Sequence, residues 1–456
     1  MAEAKLGDGI FKAYDIRGIY PKELDESTAE ALGCSFGEYM GRGKTIGVCM
    51  DVRLSSGSLR KSFLKGVSSS DIKIVDLGVA PTPVIYFAVS HYGLDGGAIV
   101  TASHNPPEWN GFKFYGKGGE AIGMQNGLSV IRDTSRRNSR CESRELLVED
   151  RSARAIDDYE KFLLGKISVQ GKVRIGIDPG NGSYSAIAKR VFEKAGAEVL
   201  AINDSPDGSF AARKPEPNEE TLGRLRELVV DKRLDFGIGF DPDGDRGVFV
   251  DGKGRVLRGD LALAVFVRNL LGKGEKVVFE VSSTDLIREE AMRKGGIPIM
   301  IRVGRTFFLR AMADEKAAMA GEMSGHTYFS EVYGGDDALF AGLKMAELVS
   351  RRGKPLSELV DELPHYESFS AELKVDEKLK YGIIDKIREK LSKTEKLVTI
   401  DGVKVIMDDG WFILRASNTT PIVRLVAEAK SRDALDRIVE MAKREFKEAE
   451  TAAERK

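Results

Sequence analysis

Cysteine is scarce in this sequence, and its spacing predicts no metal site. Three cysteines, Cys34, Cys49 and Cys141, occur among 456 residues. They form no CxxC pair and no plausible zinc-binding set. Widely spaced cysteines in an odd number are typical of reduced thiols in the cytoplasm. We therefore expect no disulfide and a cytoplasmic location.

Long apolar runs and an excess of one charge are also absent. The 70 basic and 71 acidic residues leave a formal net charge of −1, which gives no global attraction to nucleic acid or anionic lipid. No segment approaches the roughly 20 apolar residues that a membrane span requires. The first segment, MAEAKLGDGIFKAYDIRG, lacks the apolar core of a signal peptide. We expect neither a nucleic-acid nor a membrane partner, and the sequence favours neither a monomer nor a homo-oligomer.

Short apolar runs alternate with helical periodicity over most of the chain, which is typical of an α/β protein. At roughly 150 residues per domain, the length predicts three or four domains. After about Leu363 the pattern becomes strand–turn–strand, with hairpin signals at Asp401-Gly402 and Asp409-Gly410 and a final helix. Predicted strands occupy residues 45–51, 73–78, 96–101, 173–183, 197–204, 234–241, 276–283, 297–304 and 317–325, and predicted helices occupy 185–197 and 336–353.

Polar loops of unusual chemistry follow three of these strands. They contain Ser103-His104, the segment DPDGDR at 241–246 and the segment GEMSGH at 321–326. Ligands of open α/β sheets bind at the carboxyl ends of strands. We therefore expect the three loops to meet in one cleft.

The second loop places carboxylates at Asp241, Asp243 and Asp245. Such a set can surround one hard divalent cation, and three crowded carboxylates repel one another unless a cation balances them. A calcium loop of the EF-hand kind would need Gly at Arg246 and Glu at Gly252. The sequence predicts a magnesium site, with a polar surface turn as the alternative.

The third loop supplies Glu322, Ser324 and His326, which alternate and would project to one side of an extended loop. A carboxylate, a hydroxyl and an imidazole suit a polyhydroxylated ligand, although a hydrogen-bonded turn is nearly as well supported. A fourth segment, RASNTTPIVR, can cradle a phosphate, with an ordinary surface turn as the alternative. Its candidate residues are Arg415, Ser417, Asn418, Thr419, Thr420 and Arg424.

Ser103 lacks the surroundings of an acyl-transfer nucleophile. Its neighbours Ala102 and His104 do not form a GxSxG elbow, and no acidic residue is placed to orient the histidine. A serine that faces a metal loop, a phosphate loop and the cationic Lys113 is better placed to carry a phosphoryl group.

The segments TASHNPPEWNGFK, DPDGDR, GEMSGH and RASNTTP, in this order, resemble the α-D-phosphohexomutases. The resemblance covers essentially the whole chain and includes YDIRG at 14–18, DVRLSSGSL at 51–59 and DPGNGS at 178–183. It implies three similar α/β domains with mixed sheets and a smaller C-terminal α+β domain, TATA-binding-protein-like, around a central cleft. The implied domains are residues 1–150, 151–253, 254–366 and 367–456.

The resemblance further implies that Ser103 is a phosphoserine and that Mg²⁺ is bound by Asp241, Asp243, Asp245 and the serine phosphate. The implied reaction interconverts hexose 1-phosphate and hexose 6-phosphate of mannose, glucose or both. A hexose 1,6-bisphosphate is its intermediate and activator. Met323 and the SNTTP loop resemble the phosphomannomutase/phosphoglucomutase branch, whereas phosphoglucosamine mutases more often carry Gln and an SGTEP-like loop.

By the same resemblance, Lys113, His104 and Arg17 line the reaction centre, with Lys113 as the first candidate for the general base. A lysine needs a lowered pKa for that role. Arg302 and Arg305 stand where many relatives have lysine and histidine, which leaves the preference for glucose or mannose open. The implied substrate-binding residues are Tyr14, Arg246, Arg302, Gly304, Arg305, Glu322, Ser324, His326, Arg415, Ser417, Asn418, Thr419, Thr420 and Arg424.

Three alternatives compete with this interpretation. Phosphoglucosamine mutase activity would need the same fold and chemistry. The segment GIGFDPDGD also resembles phosphatases of the haloacid-dehalogenase kind, in which Asp241 rather than Ser103 would be the nucleophile. A non-catalytic sugar-phosphate-binding protein on the same scaffold is the third alternative.

Overall fold

The part of the chain that the structure describes forms four β-sheets, each from a continuous stretch of sequence. The computed structural model describes residues 7–137, 141–142, 144–417 and 420–454. The sheets define four units, numbered in chain order. Three units combine a mixed sheet with flanking helices, as predicted, and the fourth has an antiparallel sheet.

The first unit has a six-stranded sheet of order β1-β5-β4-β2-β3-β6. All five residues of strand β4 are buried. Its sequence is apolar throughout, as is typical of a strand whose two faces are both covered by other elements. The strands are β1 Ile16–Ile19, β2 Thr45–Met50, β3 Lys73–Val79, β4 Gly96–Val100, β5 Trp109–Tyr115 and β6 Leu147–Asp150. The helices are α1 Glu26–Met40, α2 Ser56–Val67, α3 Thr82–His91 and α4 Leu128–Arg137.

The second unit has a four-stranded sheet of order β10-β9-β7-β8, in which β9 and β10 form an antiparallel hairpin around the predicted metal loop. Helix α6 starts later than the predicted helix because a 3-10 helix, Ser183–Ala186, precedes it. The elements are α5 Ser152–Leu164, β7 Arg174–Asp178, α6 Ala188–Lys194, β8 Glu198–Ala201, α7 Gly223–Asp231, β9 Phe236–Phe240 and β10 Gly247–Asp251.

The third unit has the strand order β12-β11-β13-β14, with an antiparallel hairpin β13–β14 around the predicted sugar loop. Its strands are β11 Lys276–Glu280, β12 Ile297–Ile301, β13 Met319–Gly321 and β14 Thr327–Phe329. Its helices are α8 Gly259–Leu270, α9 Leu286–Arg293, α10 Arg305–Glu315, α11 Ala338–Arg352 and α12 Leu356–Asp361.

The fourth unit has the order β15-β19-β18-β17-β16, and its neighbouring strands are all antiparallel. Both predicted hairpins are confirmed: one turn contains Gly402 at φ +77°, and the other is closed by Met407 N–H donating to Gly410 O at 2.9 Å. The elements are β15 Glu367–Lys374, α13 Lys380–Leu391, β16 Lys396–Val398, β17 Val403–Ile406, β18 Gly410–Ala416, β19 Ile422–Ala429 and α14 Arg432–Glu454.

One apolar core runs through the first three units and includes Val75, Ile175 and Val277, one from each unit. The fourth unit has its own core and packs against the third through Val281 and Trp411. The packing of the first three units brings together the loops that follow β4, β9 and β13. No helix in the part of the chain that the structure describes is long and apolar enough to cross a membrane. The domain boundaries predicted from the resemblance stay predictions.

The expectation of three reduced thiols is wrong for one pair of cysteines. Cys34 on α1 and Cys141 beyond α4 form a disulfide, with Cα atoms 6.1 Å apart and a sequence separation of 107. Helix α4 packs against α1, the helix that carries Cys34. Cys49 is free and buried, and burial raises the pKa of its thiol.

Candidate active site

Ser103 lies directly beyond strand β4 in a strained and almost fully buried turn. Its φ is +51°, in the left-handed region that non-glycine residues seldom occupy. Its hydroxyl donates to Asp241 Oδ2 at 2.9 Å and lies 3.2 Å from His104 Nδ1. The predicted contact between the serine loop and the metal loop is therefore present. Strain of this kind clusters at functional sites.

His104 is held as a neutral imidazole beside this serine. Burial, together with the nearby cations Arg246 and Arg17, lowers the pKa of His104 well below its usual value. Arg17 donates to Asn105 Oδ1 at 2.6 Å and to Ala102 O at 3.2 Å, and its Nε donates to Asp15. A neutral histidine and a fixed guanidinium thus flank the serine loop.

The metal loop joins β9 to β10, and the carboxylates of Asp241, Asp243 and Asp245 are completely buried. Gly244 at φ +75° allows the tight turn, and its N–H donates to Asp241 Oδ1 at 3.0 Å. The N–H of Arg246 donates to the same oxygen at 3.1 Å. The surface-turn alternative is therefore wrong, since surface aspartates would be exposed.

Lys113 on β5 reaches from the first unit into the metal loop. Its Nζ lies 2.7 Å from Asp243 Oδ2 and 2.5 Å from Asp245 Oδ2. Burial alone would lower the pKa of Lys113, but the two carboxylates outweigh burial and raise it. A lysine with a raised pKa is a poor general base, so this arrangement disfavours the role first considered for Lys113.

The carboxylate set of this loop suits a divalent cation. Asp243 Oδ1 and Asp245 Oδ1 are buried and have no hydrogen-bond partner among the described residues, although buried polar atoms are nearly always paired. Burial, followed by repulsion from Asp243 and Asp245, raises the pKa of Asp241 well above its usual value. Carboxylate oxygens are the preferred ligands of Mg²⁺. The three aspartates therefore form a buried site that fits a divalent cation.

A second acidic cluster, formed by Asp245, His326 and Asp336, is an ion-pair network. Arg305 donates from Nε to Asp336 Oδ2 at 2.5 Å and from Nη2 to Asp336 Oδ1 at 2.6 Å. His326 Nδ1 lies 2.8 Å from Asp336 Oδ2. Burial would raise the pKa of Asp336, but Arg305 and His326 hold it well below its usual value. Arg305 thus pairs within the protein, and its contact with substrate stays a prediction.

The loop GEMSGH is a tight turn, so its conformation is the hydrogen-bonded turn given as the alternative rather than an extended loop. Glu322 N–H donates to His326 O at 2.9 Å, which pairs the two residues across the β13–β14 hairpin. Ser324 lies at the exposed tip, and Gly325 adopts φ +96°. Tyr328 donates its hydroxyl proton to Glu322 Oε1 at 2.6 Å. The hairpin also joins the second unit, since Arg246 Nε lies 2.9 Å from His326 Nε2.

The turn before α10 faces Tyr14 of the first unit. Gly304 has φ +135°, and a Cβ there would lie 2.4 Å from the Tyr14 hydroxyl oxygen. The exposed Arg302 places its guanidinium 4.6 Å from the Phe307 ring centre. These residues adjoin a cavity of about 1100 Å³ between the first and third units, which Ser103 does not line.

The predicted phosphate loop connects β18 to β19. Ser417 Oγ lies 2.8 Å from Thr420 Oγ1, and Arg415 is opposite Arg424 in the strand register. Arg415 is buried, whereas Arg424 is half exposed near Glu372. Residues Asn418 and Thr419 lie outside the described residues.

Sequence reasoning missed two buried residues near these loops. Lys380 donates from Nζ to Ser417 O at 2.7 Å and to Thr420 O at 3.4 Å, so it holds the backbone of the phosphate loop. Glu280 ends strand β11, where burial and Glu322 raise its pKa to about 8. The only signal in the sequence is an acidic residue at the end of the apolar run KVVFE.

Models of one protein family match four parts of the chain. Residues 8–139, 156–254 and 258–366 match the models described as phosphoglucomutase/phosphomannomutase α/β/α domains I, II and III. Residues 372–445 match the model of the C-terminal domain of the same family. Together these matches cover most of the chain.

Individual relatives span nearly the full length. The chain is 33% identical to the phosphoglucomutase/phosphomannomutase of Thermococcus kodakarensis, covering 96% of this chain and 99% of the relative. It is 32% identical to the probable phosphoglucosamine mutase of Methanopyrus kandleri, covering 95% and 98%. A solved structure of a family protein from Burkholderia thailandensis superimposes with a TM-score of 0.90 at 32% identity, covering 97% and 98%.

Proposed function

The chain belongs to the phosphoglucomutase/phosphomannomutase family, and we propose that Ser103 carries the phosphoryl group with which it interconverts hexose 1-phosphates and hexose 6-phosphates. The hexose is mannose, glucose or both. One observation carries the proposal: the Ser103 hydroxyl lies in a strained, buried turn, 2.9 Å from Asp241 of a three-carboxylate loop.

The reaction exchanges one phosphorus–oxygen bond for another. The bond between phosphorus and Ser103 Oγ breaks while a free sugar hydroxyl gives up its proton and bonds to the same phosphorus. Ser103 Oγ takes up a proton to become a hydroxyl again, and the product is a hexose 1,6-bisphosphate. The bisphosphate turns within the cleft, and its other phosphoryl group returns to Ser103. Asp241, Asp243 and Asp245 would hold Mg²⁺, which would supply positive charge to offset the negative charge on the phosphoryl oxygens.

Side chains around Ser103 are placed to accept its proton and to supply further positive charge. On the return step the Ser103 hydroxyl loses its proton, and the neutral His104, with Nδ1 at 3.2 Å, is placed to accept it. Lys113 remains charged between Asp243 and Asp245, where it contributes positive charge and position. Arg17 orients the serine loop through Asn105.

Substrate binding is assigned to the loops of the third and fourth units. Glu322, Ser324 and His326 would contact sugar hydroxyls, with Tyr14, Arg302 and Gly304 at the neighbouring turn. The phosphate that is not being transferred would bind the segment 415–420, whose backbone Lys380 holds. Both substrate orientations use the same loop, because either phosphate can occupy it.

The test of the nucleophile is Ser103→Ala together with peptide mapping of the wild-type protein. We expect phosphate on Ser103 and loss of mutase activity in the variant. If the wild-type protein carries no phosphate on Ser103 and the Ser103→Ala variant is fully active, Asp241 is favoured as the nucleophile. In support of Ser103, its hydroxyl donates to Asp241 Oδ2, and Asp241 Oδ1 accepts from the N–H groups of Gly244 and Arg246, an arrangement that suits a metal ligand.

The second candidate is phosphoglucosamine mutase, which the Methanopyrus kandleri relative supports. Phosphorylated enzyme would be assayed with Mg²⁺ on glucose 1-phosphate, mannose 1-phosphate and glucosamine 1-phosphate. We expect a hexose phosphate to show the highest kcat/KM. A dominant value for the amino sugar would overturn the substrate assignment, and binding without turnover would indicate a non-catalytic protein.

A further inference from the structure

Arg53 lies beneath the serine loop and forms a buried ion pair. Its Nε lies 3.1 Å from Asp51 Oδ2, and both side chains are fully buried. Asp51 also accepts hydrogen bonds from the N–H of Arg53 at 3.0 Å and from Ser56 Oγ at 2.6 Å. The aspartate therefore fixes the position of the guanidinium.

The other four guanidinium N–H groups of Arg53 bind carbonyl groups of the serine loop. Nη2 donates to Ser103 O at 2.7 Å and to Asn105 O at 2.6 Å. Nη1 donates to Pro106 O at 2.6 Å and to Trp109 O at 2.9 Å. All five donors of the guanidinium are thus used, and four of them hold one seven-residue stretch, Ser103–Trp109.

This arrangement requires an arginine, and another cationic side chain would not replace it. The guanidinium is planar and presents five donors in a rigid fork, whereas a lysine ammonium has three donors on one nitrogen. A lysine at Arg53 would leave carbonyl groups of the loop without a donor. Unpaired buried carbonyl groups are costly, so the loop would move to find other partners.

Arg53 also contacts the second unit. The Phe210 ring centre lies 5.0 Å from the guanidinium carbon, and Phe210 has φ +52°. A Cβ at Gly208 would lie 2.3 Å from Val52 O, so the second unit packs directly against the backbone next to Arg53. One side chain thereby links the serine loop to the unit that carries the metal loop.

We propose that Arg53 is a positioning residue that sets the left-handed turn at Ser103 and aims its hydroxyl at the metal loop. Its role in catalysis rests on the proposed function of Ser103, whereas its role in ordering the loop does not. Arg53 acts through the backbone of the loop and needs no contact with substrate.

The test compares Arg53→Lys with the wild-type enzyme in kinetics and in amide hydrogen exchange. We expect kcat to fall by about 10- to 100-fold, since a displacement of about 1 Å at a reacting group costs that much. KM should stay within about threefold, because the groups proposed to bind sugar and phosphate are unchanged. Exchange should accelerate at the N–H groups of Asn105 and Trp109, which donate to Ala102 O and Pro106 O.

Arg255→Lys is the matched control. Arg255 also pairs with a buried aspartate, Asp251, and donates to a carbonyl group, that of Ser357. We expect this control to lower thermal stability without changing kcat or the exchange of the serine loop. If Arg53→Lys is insoluble, Asp51→Asn removes the charge paired with Arg53 and should change kcat and exchange in the same directions, by less.

The outcomes separate the two claims. A kcat within about twofold of wild type, or a lowered kcat with unchanged exchange at Asn105 and Trp109, would overturn the positioning role. If the wild-type protein has no mutase activity but Arg53→Lys still accelerates hydrogen exchange in the serine loop, the proposed function is wrong. The role of Arg53 in ordering the loop would then still stand.

Discussion

Lys113 Nζ lies 2.7 Å from Asp243 Oδ2, so a buried cation of the first unit is paired with the predicted metal loop of the second. Thr82 Oγ1 donates to the same carboxylate oxygen at 2.7 Å. Two units therefore share one charge network, and the ion pair contributes to how they dock. Removing the lysine leaves buried carboxylates without their cation.

For Lys113→Met, we expect the free energy of unfolding in EDTA to fall by about 3–5 kcal/mol, the usual cost of breaking a buried ion pair. Added Mg²⁺ should stabilise the variant more than the wild type, because a bound cation would offset the lost charge. Urea unfolding with EDTA and with Mg²⁺ measures both effects. Lys44→Met, which removes an exposed pair with Asp95, is the control. Equal stability of the Lys113 variant and wild type in EDTA would contradict the prediction.

Cys141→Ser should lower the free energy of unfolding by about 2–4 kcal/mol, because the disulfide to Cys34 closes a long loop in the unfolded chain. Dithiothreitol should lower the Tm of the wild type and leave that of the variant unchanged. Thiol titration under denaturing conditions should find one free cysteine in the wild type, Cys49. Three titratable thiols in the protein purified without reductant would show that the disulfide does not form.

Glu280→Gln should flatten the dependence of stability on pH. The pKa of Glu280 is raised from 4.5 to about 8 in the folded protein, so the folded state binds more protons than the unfolded state between these values. Stability is therefore lost as pH rises through this window. At pH 8.5 the Tm of the variant should exceed that of wild type by roughly 2–4 °C. Scanning calorimetry from pH 5 to 9 tests this, with exposed Glu219→Gln as control; parallel curves would refute it.

Lys380→Met should raise KM for the hexose phosphate by about tenfold with kcat changed little, since Lys380 supports the loop proposed to hold the non-reacting phosphate. Steady-state kinetics on phosphorylated enzyme measures both constants. Lys386→Met, which removes a contact with Ala452 O on the last helix, should leave both unchanged. A lower kcat at constant KM would place Lys380 in the chemical step instead.

Much of the fold could be predicted because its signals are local. The apolar run at 96–101 became strand β4, and the Asp-Gly pairs became the two hairpins of the fourth unit. The ordered motifs also predicted that Ser103 and Asp241 would meet, which their 2.9 Å contact confirms. Periodicity and turn residues act over a few positions, so they can be interpreted without the fold.

Contacts between residues that lie far apart in sequence could not be predicted in this way. Arg53 lies in the segment DVRLSSGSL, yet nothing in the sequence shows that its guanidinium binds four carbonyl groups some 50 residues later. Cysteine spacing likewise predicted no disulfide, because the packing of α4 on α1 brings Cys141 to Cys34. The conformation of GEMSGH depended on the β13–β14 hairpin rather than on alternation.

The sequence alone determined the alternation of strands and helices, the family resemblance and the candidate residues for the chemistry, because these depend on residue type and short-range spacing. Only the tertiary structure decided which charges are paired. Burial of Lys113 between Asp243 and Asp245, and of Arg305 against Asp336, sets which groups are ionised. The protonation of a side chain depends on what surrounds it in space, and packing brings Lys113 to carboxylates that lie 130 and 132 positions away in sequence.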